Sequence, residues 1–156
     1  MSRSELFHVG IVVPDLEAAR EHFKAVLGIE WGPLVEGPME VRDPDGNDFV
    51  VPHRVSYSTT PPYLELIQEM PGTVWVCNEY SNLHHLGYWS DDLPADAASL
   101  SNARCPMELH ARIGMQSPEQ WIYHRDPLGV RIEMIDAAFE STMAQYIFRP
   151  ADPAVG

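Results

Sequence analysis

Lysine is almost missing from this chain: Lys24 is the sole example, and basic residues number 10 against 23 acidic ones, for a formal net charge of −13 over 156 residues. Nucleic acid and anionic membrane surfaces both demand a positive footprint, so neither is expected as a partner. Cysteine is nearly as scarce. Cys77 and Cys105 lie far apart with no CxxC spacing, which excludes a zinc knuckle or a redox pair and points to two reduced thiols. No apolar run approaches the length of a membrane span, and residues 1–7 lead into the first apolar segment without a signal-like stretch, so a cytoplasmic protein is expected. An acidic surface keeps the chain soluble but slows an anionic substrate unless arginines line the cleft.

What the chain does have is an internal repeat. His8-Val-Gly-Ile-Val-Val-Pro-Asp15-Leu16 aligns without a gap on His85-Leu-Gly-Tyr-Trp-Ser-Asp-Asp92-Leu93, with His, Gly, Asp and Leu identical. Later in each copy, Tyr63-Leu-Glu65-Leu-Ile67 answers Arg131-Ile-Glu133-Met-Ile135. Two copies are too few for a solenoid and indicate two small modules paired by pseudo-symmetry. The length suits one domain, residues 1–156, with module one at 6–69, module two at 83–136 and a C-terminal tail at 137–156.

Local signals give both modules the same order of elements. Residues 7–13 are valine-rich and predict a strand, Asp15 is a helix N-cap, Leu16, Ala19, Phe23 and Val26/Leu27 recur at helical spacing, and Gly28 ends the helix. Asp92 repeats the cap, Leu93 and Leu100 repeat the apolar spacing, and Pro106 is the stop. Strands are predicted at 38–42, 49–57 and 63–68 in the first module and at 107–115, 121–124 and 130–135 in the second, with turns at 43–46 and 126–129. Each module therefore reads β-α-β-β-β. Residues 70–82 link the modules, and 139–147 suit a short helix. The fold class is α+β, two βαβββ modules forming a cupped mixed sheet with helices on its convex face.

Strand alternation locates the chemistry. His8, Gly10 and Val12 share one face while Val9, Ile11 and Val13 form the other, apolar enough to pack under a helix. Glu65 shares its face with Tyr63 and Ile67, and Glu133 with Arg131 and Ile135. His8, Glu65, His85 and Glu133 can then line the concave face, with Gly10 and Gly87 leaving space beside them. Singly, a strand histidine is more often a hydrogen-bonded core residue, and a glutamate there often pairs with arginine. Jointly, four isolated polar groups would each carry an uncompensated burial cost, whereas one shared cation satisfies them all. Two imidazoles and two carboxylates suit one divalent ion of Ni, Co, Fe, Mn or Zn.

The other histidines have plainer readings. His22 is expected in solvent, and His110 on an exposed face with Glu108 and Arg112. His84 points opposite to His85. His53 and His124 either stand behind the ligands or are structural. The Asp43-Pro-Asp-Gly46 segment reads as a turn, since it lacks the rest of a calcium loop.

The strings HVGIVVPDLEAAREHFKAVLGI, YLELI, HHLGYWSDDL and DPLGVRIEMI span nearly all of residues 6–136 and resemble the vicinal-oxygen-chelate superfamily, which includes glyoxalase I, methylmalonyl-CoA epimerase, extradiol dioxygenases and fosfomycin- and bleomycin-resistance proteins. The pattern is closest to the glyoxalase I and methylmalonyl-CoA epimerase branch. The resemblance implies two βαβββ modules around one divalent metal, with His8, Glu65, His85 and Glu133 at the ligand positions. It also implies chelation of two adjacent substrate oxygens, with a glutamate moving a proton on the carbon next to a carbonyl. Both modules keep a complete ligand pair, unlike the three-ligand dioxygenases or the bleomycin-binding proteins that tend to lack the ligands. No set of basic residues matches a glutathione or coenzyme A anchor, while Tyr63, Trp89, Trp121 and Tyr57 suggest a bulkier or more apolar small-molecule substrate.

The leading expectation is a metal-dependent isomerase, epimerase or lyase, with Glu133 the favoured base and Glu65 the alternative. The competing expectations are a non-catalytic small-molecule binding or resistance protein and a small iron-dependent dioxygenase. A homodimer is also expected, because a cupped sheet leaves edges that self-pairing covers. The repeat makes one sharp prediction about the ligands. His8→Ala and His85→Ala should each abolish tight metal binding while His84→Ala retains it, as read by metal content after gel filtration. The opposite result at 84 and 85 would put the second copy one residue out of register.

Overall fold

The structure is a computed structural model and describes residues 5–112 and 120–147. Among these the order is β1 Leu6–Val13, α1 Leu16–Leu27, β2 Val35–Arg42, β3 Asp48–Tyr57, β4 Tyr63–Gln68, β5 Leu83–Ser90, α2 Leu93–Asn102, β6 Met107–Ala111, β7 Trp121–Arg125 and β8 Arg131–Asp136. Helical turns at Ala137–Phe139, Glu140–Thr142 and Met143–Ile147 follow. The β-α-β-β-β order thus occurs twice. The end of the strand expected over 107–115 lies outside the described residues.

Capping explains where the helices begin. Asp15 accepts a hydrogen bond from the Ala18 N–H at 2.8 Å and Asp92 from the Ala95 N–H at 3.1 Å. Such a cap contributes about 1 kcal/mol. The two ends differ. Gly28 closes α1 in the left-handed region at φ 69°, where glycine meets no steric penalty. After α2 the left-handed position falls to Arg104, φ 66°, which costs about 1–2 kcal/mol for a residue with a Cβ.

Each helix packs on the strand face turned away from the candidate ligands. Leu16, Ala19 and Phe23 of α1 meet Ile11 and Val13 of β1 and Leu64 and Leu66 of β4. Leu93, Ala97 and Leu100 of α2 meet Tyr88, Ile122, Ile132 and Met134. Leu16, Leu66 and Met134 are sealed from solvent, each worth roughly 1.5–3 kcal/mol of burial. Val26 and Leu27, apolar in the sequence pattern, are exposed at the end of α1.

The mixed sheet closes with strand order β1-β4-β3-β2-β6-β7-β8-β5. Beside the antiparallel neighbours, β1 runs parallel to β4 and β5 parallel to β8, as a β-α-β-β-β path requires. Two compact units are distinguishable. One draws mainly on Pro38–Val51 and His85–Glu140, the other on His8–Gly37 and Pro52–His84. No helix of the described residues is long and apolar enough to cross a membrane.

Two histidines need comment. His110 is buried rather than exposed with Glu108, its Nδ1 3.1 Å from the Ala111 carbonyl oxygen. The cause is a β-bulge between Met107 and Leu109, which breaks the alternation that would have put residues 108 and 110 on one face. His124 is sealed in the interior opposite Ile132, on the helix side of the sheet, and its Nδ1 donates to the Cys105 carbonyl at 2.7 Å. It is therefore structural. Burial drives its pKa below the ordinary value, and the Cys105 bond only partly opposes this.

A depressed histidine pKa means that the unfolded chain binds the proton more readily. The stability due to neutral His124 should be complete above the ordinary value of 6.5 and fall as the pH drops below it. His124→Asn keeps the donor to Cys105 without titrating. The stability gap between wild type and this variant in urea melts should therefore narrow from pH 7.5 to pH 5; a gap independent of pH would refute the assignment.

Candidate metal centre

The sheet register builds one histidine–glutamate pair in each unit by the same device. In the parallel pairing of β1 with β4, His8 lies beside Tyr63, and Gly10, two residues on, faces Glu65. In β5 and β8, Gly87, two residues after His85, faces Glu133. Glycine opposite each carboxylate removes the side chain that would crowd it. The resulting distances are 3.6 Å from His8 Nε2 to Glu65 Oε2 and 3.2 Å from His85 Nε2 to Glu133 Oε2, with all four residues buried.

These separations test the fit to a metal. Two donors each about 2.0–2.2 Å from one ion sit 2.8–3.6 Å apart at octahedral to tetrahedral angles. Both pairs fall in that range, whereas 3.6 Å is too long for a direct N–H···O bond. His8, Glu65, His85 and Glu133 form one group able to hold a metal ion, their ligand atoms all within 4.8 Å of one another. His84 is not part of it: its Nε2 lies 2.9 Å from the Val74 carbonyl oxygen, on the other side of the strand.

A tyrosine stands in register with each glutamate on the antiparallel neighbour, Tyr57 beside Glu65 and Tyr123 beside Glu133. Tyr57 Oη donates to Glu65 Oε1 at 2.5 Å, and its ring meets the His8 ring edge-on at 5.6 Å. Tyr123 Oη lies 3.5 Å from His85 Nδ1. Contact of this kind orients an imidazole and sets which nitrogen faces a metal. Sequence reading had noticed Tyr57 and passed over Tyr123. The signal was available, because the two tyrosines occupy equivalent strands of the repeat.

Arg131, placed by alternation on the face of Glu133, has partners that the sequence does not show. It is buried on the face of β8 that carries Glu133, binds Glu108 through Nε at 2.6 Å and Nη2 at 3.0 Å, and lies 5.7 Å from the centre of the Tyr123 ring. Burial by itself would push the Glu108 carboxyl up, but hydrogen bonds from Arg131 and Arg125 outweigh it and hold the pKa at about 2. Among the aromatics expected near the site, Trp121 leans on Tyr123 at 4.7 Å, Trp89 stacks on Phe7 at 4.1 Å, and Tyr63 is half-buried. His53 shares the Glu65 face by register and lies 6.2 Å from Trp75, while His22 is exposed.

The family profile of the glyoxalase/bleomycin resistance protein/dioxygenase superfamily matches residues 7–123. Among solved structures, a variant of the Streptomyces coelicolor methylmalonyl-CoA epimerase in complex with 2-nitronate-propionyl-CoA is similar with a TM-score of 0.60 and 20% identity, covering 85% of this chain and 94% of that one. The Mycobacterium tuberculosis methylmalonyl-CoA epimerase is similar at 0.54 and 23%, covering 84% and 86%. A hypothetical protein from Bacillus halodurans gives 0.54 and 14%, covering 85% and 93%. No curated protein sequence matches significantly. These likenesses establish the fold, in which the β-α-β-β-β order occurs twice.

The Glu108–Arg131 pair should matter for stability in a way that acid removes. Glu108→Gln strands a buried guanidinium and should cost about 3 kcal/mol at pH 7. A carboxyl depressed from 4.5 to about 2 stabilises fully above 4.5 and loses its effect as the pH falls toward 2. Urea melts of wild type and variant should converge over that range. Parallel curves would contradict the geometry.

Proposed function

Because the chain belongs to the glyoxalase/bleomycin resistance protein/dioxygenase superfamily, we propose that it is a divalent-metal-dependent isomerase, epimerase or lyase that moves a proton on the carbon next to a substrate carbonyl. The observation that carries this reading is the buried group His8, Glu65, His85 and Glu133. In this reading His8, Glu65, His85 and Glu133 hold the ion, which is one of Ni, Co, Zn, Mn or Fe, and would supply Lewis-acid polarisation of the carbonyl.

Glu133 serves as the base, taking the proton from the adjacent carbon and returning it. Return to a neighbouring atom isomerises the substrate; inverting the carbon takes a second group that delivers a proton to the opposite face. A buried carboxylate suits the task, since removal from water raises the strength of its hydrogen bonds to a reacting group. Tyr63 and Trp121, half-buried on the same faces as the two glutamates, are positioned to pack against the substrate body. Acyl-CoA thioesters are among the candidate substrates because a similar epimerase is seen with methylmalonyl-CoA, although no set of basic residues here matches a coenzyme A anchor. Two free thiols, Cys77 and Cys105, fit a cytoplasmic location.

Purified protein should carry about one equivalent of a divalent transition metal per chain and catalyse entry of solvent deuterium into the α-carbon of an acyl-CoA thioester, a 2-oxo acid or an α-hydroxy ketone. Glu133→Gln should lower that exchange by about 10²–10⁴-fold. Protein that takes up no metal even on reconstitution, yet binds a small molecule equally well with or without Glu133, would instead be a non-catalytic binder. Oxygen consumption by the iron-loaded form would identify a dioxygenase.

A further inference from the structure

The repeat makes Glu65 and Glu133 equivalent, and so does the sheet register, yet the side chains around them differ. Tyr57 Oη is 2.5 Å from Glu65 Oε1, and both residues are buried, at 7% and 4% exposure. The other oxygen, Oε2, is the one turned toward His8 Nε2, at 3.6 Å. The two oxygens of Glu65 are thus divided between a phenol and the ligand histidine. A hydrogen bond from a hydroxyl to a carboxylate is among the stronger neutral-to-ion contacts, and it strengthens further when desolvated. The strand register and the edge-on contact of the Tyr57 ring with His8 hold the phenol in place.

In the second module the equivalent phenol has other neighbours. Tyr123 leans on Trp121, lies under the Arg131 guanidinium, and approaches His85 Nδ1 at 3.5 Å. The position that matches Arg131 in the first module is Tyr63, which brings no cation. The Arg131 guanidinium against the Tyr123 ring is thus a chemical difference between the two modules.

Resting on the metal-dependent reading above, we propose that Tyr57 is a positioning residue that commits Glu65 to ligation through one oxygen and withholds it from proton transfer, so that two glutamates equivalent in the repeat have different work. Proton movement then falls to Glu133. Glu65 cannot turn an oxygen toward substrate without giving up either the phenol or the place beside His8.

The experiment titrates metal-free protein with Co(II), reading the visible ligand-field bands and the dissociation constant by competition with a chromophoric chelator, with circular dichroism as a check on folding. Tyr57→Phe should weaken Co(II) binding by about 10–100-fold, the range for losing a partner behind a ligand. The bands should also change as the released oxygen reaches the ion. In the Glu65→Gln background the same substitution should add little, because both changes act through one carboxylate. Wild-type affinity and bands in Tyr57→Phe, or full additivity with Glu65→Gln, would overturn the role of Tyr57 and leave the metal site intact. Wild-type protein that binds no Co(II) would overturn the metal reading together with it. If Tyr57→Phe does not fold, the infrared difference spectrum of the wild type on adding Co(II) decides: the carboxylate bands lost in Glu65→Gln should have the wide splitting of one-oxygen ligation, and the narrow splitting of two-oxygen ligation would refute the proposal.

Discussion

The parallel pairing of each module's first strand with its last is the constraint on which the site depends. It joins segments far apart in sequence, His8 to Tyr63 and the end of β5 to the end of β8, and it does so in one register. That register puts a glycine opposite a glutamate twice and brings the histidine two residues earlier within reach of the carboxylate. A shift by one residue would turn every ligand into the helix-covered core. The helices enforce the register, because Ile11, Val13, Leu64 and Leu66 find their partners on α1 only when the other face carries His8 and Glu65.

Burying two imidazoles and two carboxylates opposes folding, and the cost is tolerable only if each group is satisfied. Part of the compensation is visible within each unit. Glu65 accepts from Tyr57, and His85 has Tyr123 beside its outer nitrogen. Around the second pair the polar structure is deeper, with Glu108 fixing Arg131 and Arg131 lying over Tyr123. The two halves of the repeat therefore share a backbone plan and differ in how they stiffen it.

Membership of the superfamily accounts for the architecture and leaves the reaction to be argued from the side chains, since this fold hosts unrelated activities. Here a complete set of two histidines and two glutamates, their spacing and burial, and the aromatic groups along the same faces support the proposed reaction. The strongly acidic surface does not enter the chemistry directly. Most of its charge lies outside the sheet interior, where solvent screens it, whereas the ion pair of Glu108 and Arg131 is shielded enough to hold a carboxyl well below its usual range.

By itself the sequence determined the order of elements, the helix caps and the four ligand candidates, because these depend on local periodicity and on a repeat that compares the chain with itself. Asp15, Asp92 and Gly28 act where their side-chain chemistry predicts, and His85 rather than His84 faces a glutamate because alternation along one strand suffices to say so. Where a second strand or a break in alternation intervenes, the sequence was silent or misleading. His110 turned inward because of a bulge that no residue pattern announces, and Val26 and Leu27 lie exposed at the end of α1. Tyr123, Arg131 and the link from Tyr57 to Glu65 arise from lateral pairing between strands, and lateral neighbours are set by tertiary register. The sequence names the candidate ligands since each is marked by its place in a strand; only the folded sheet decides what stands behind them, since that depends on which strands lie side by side.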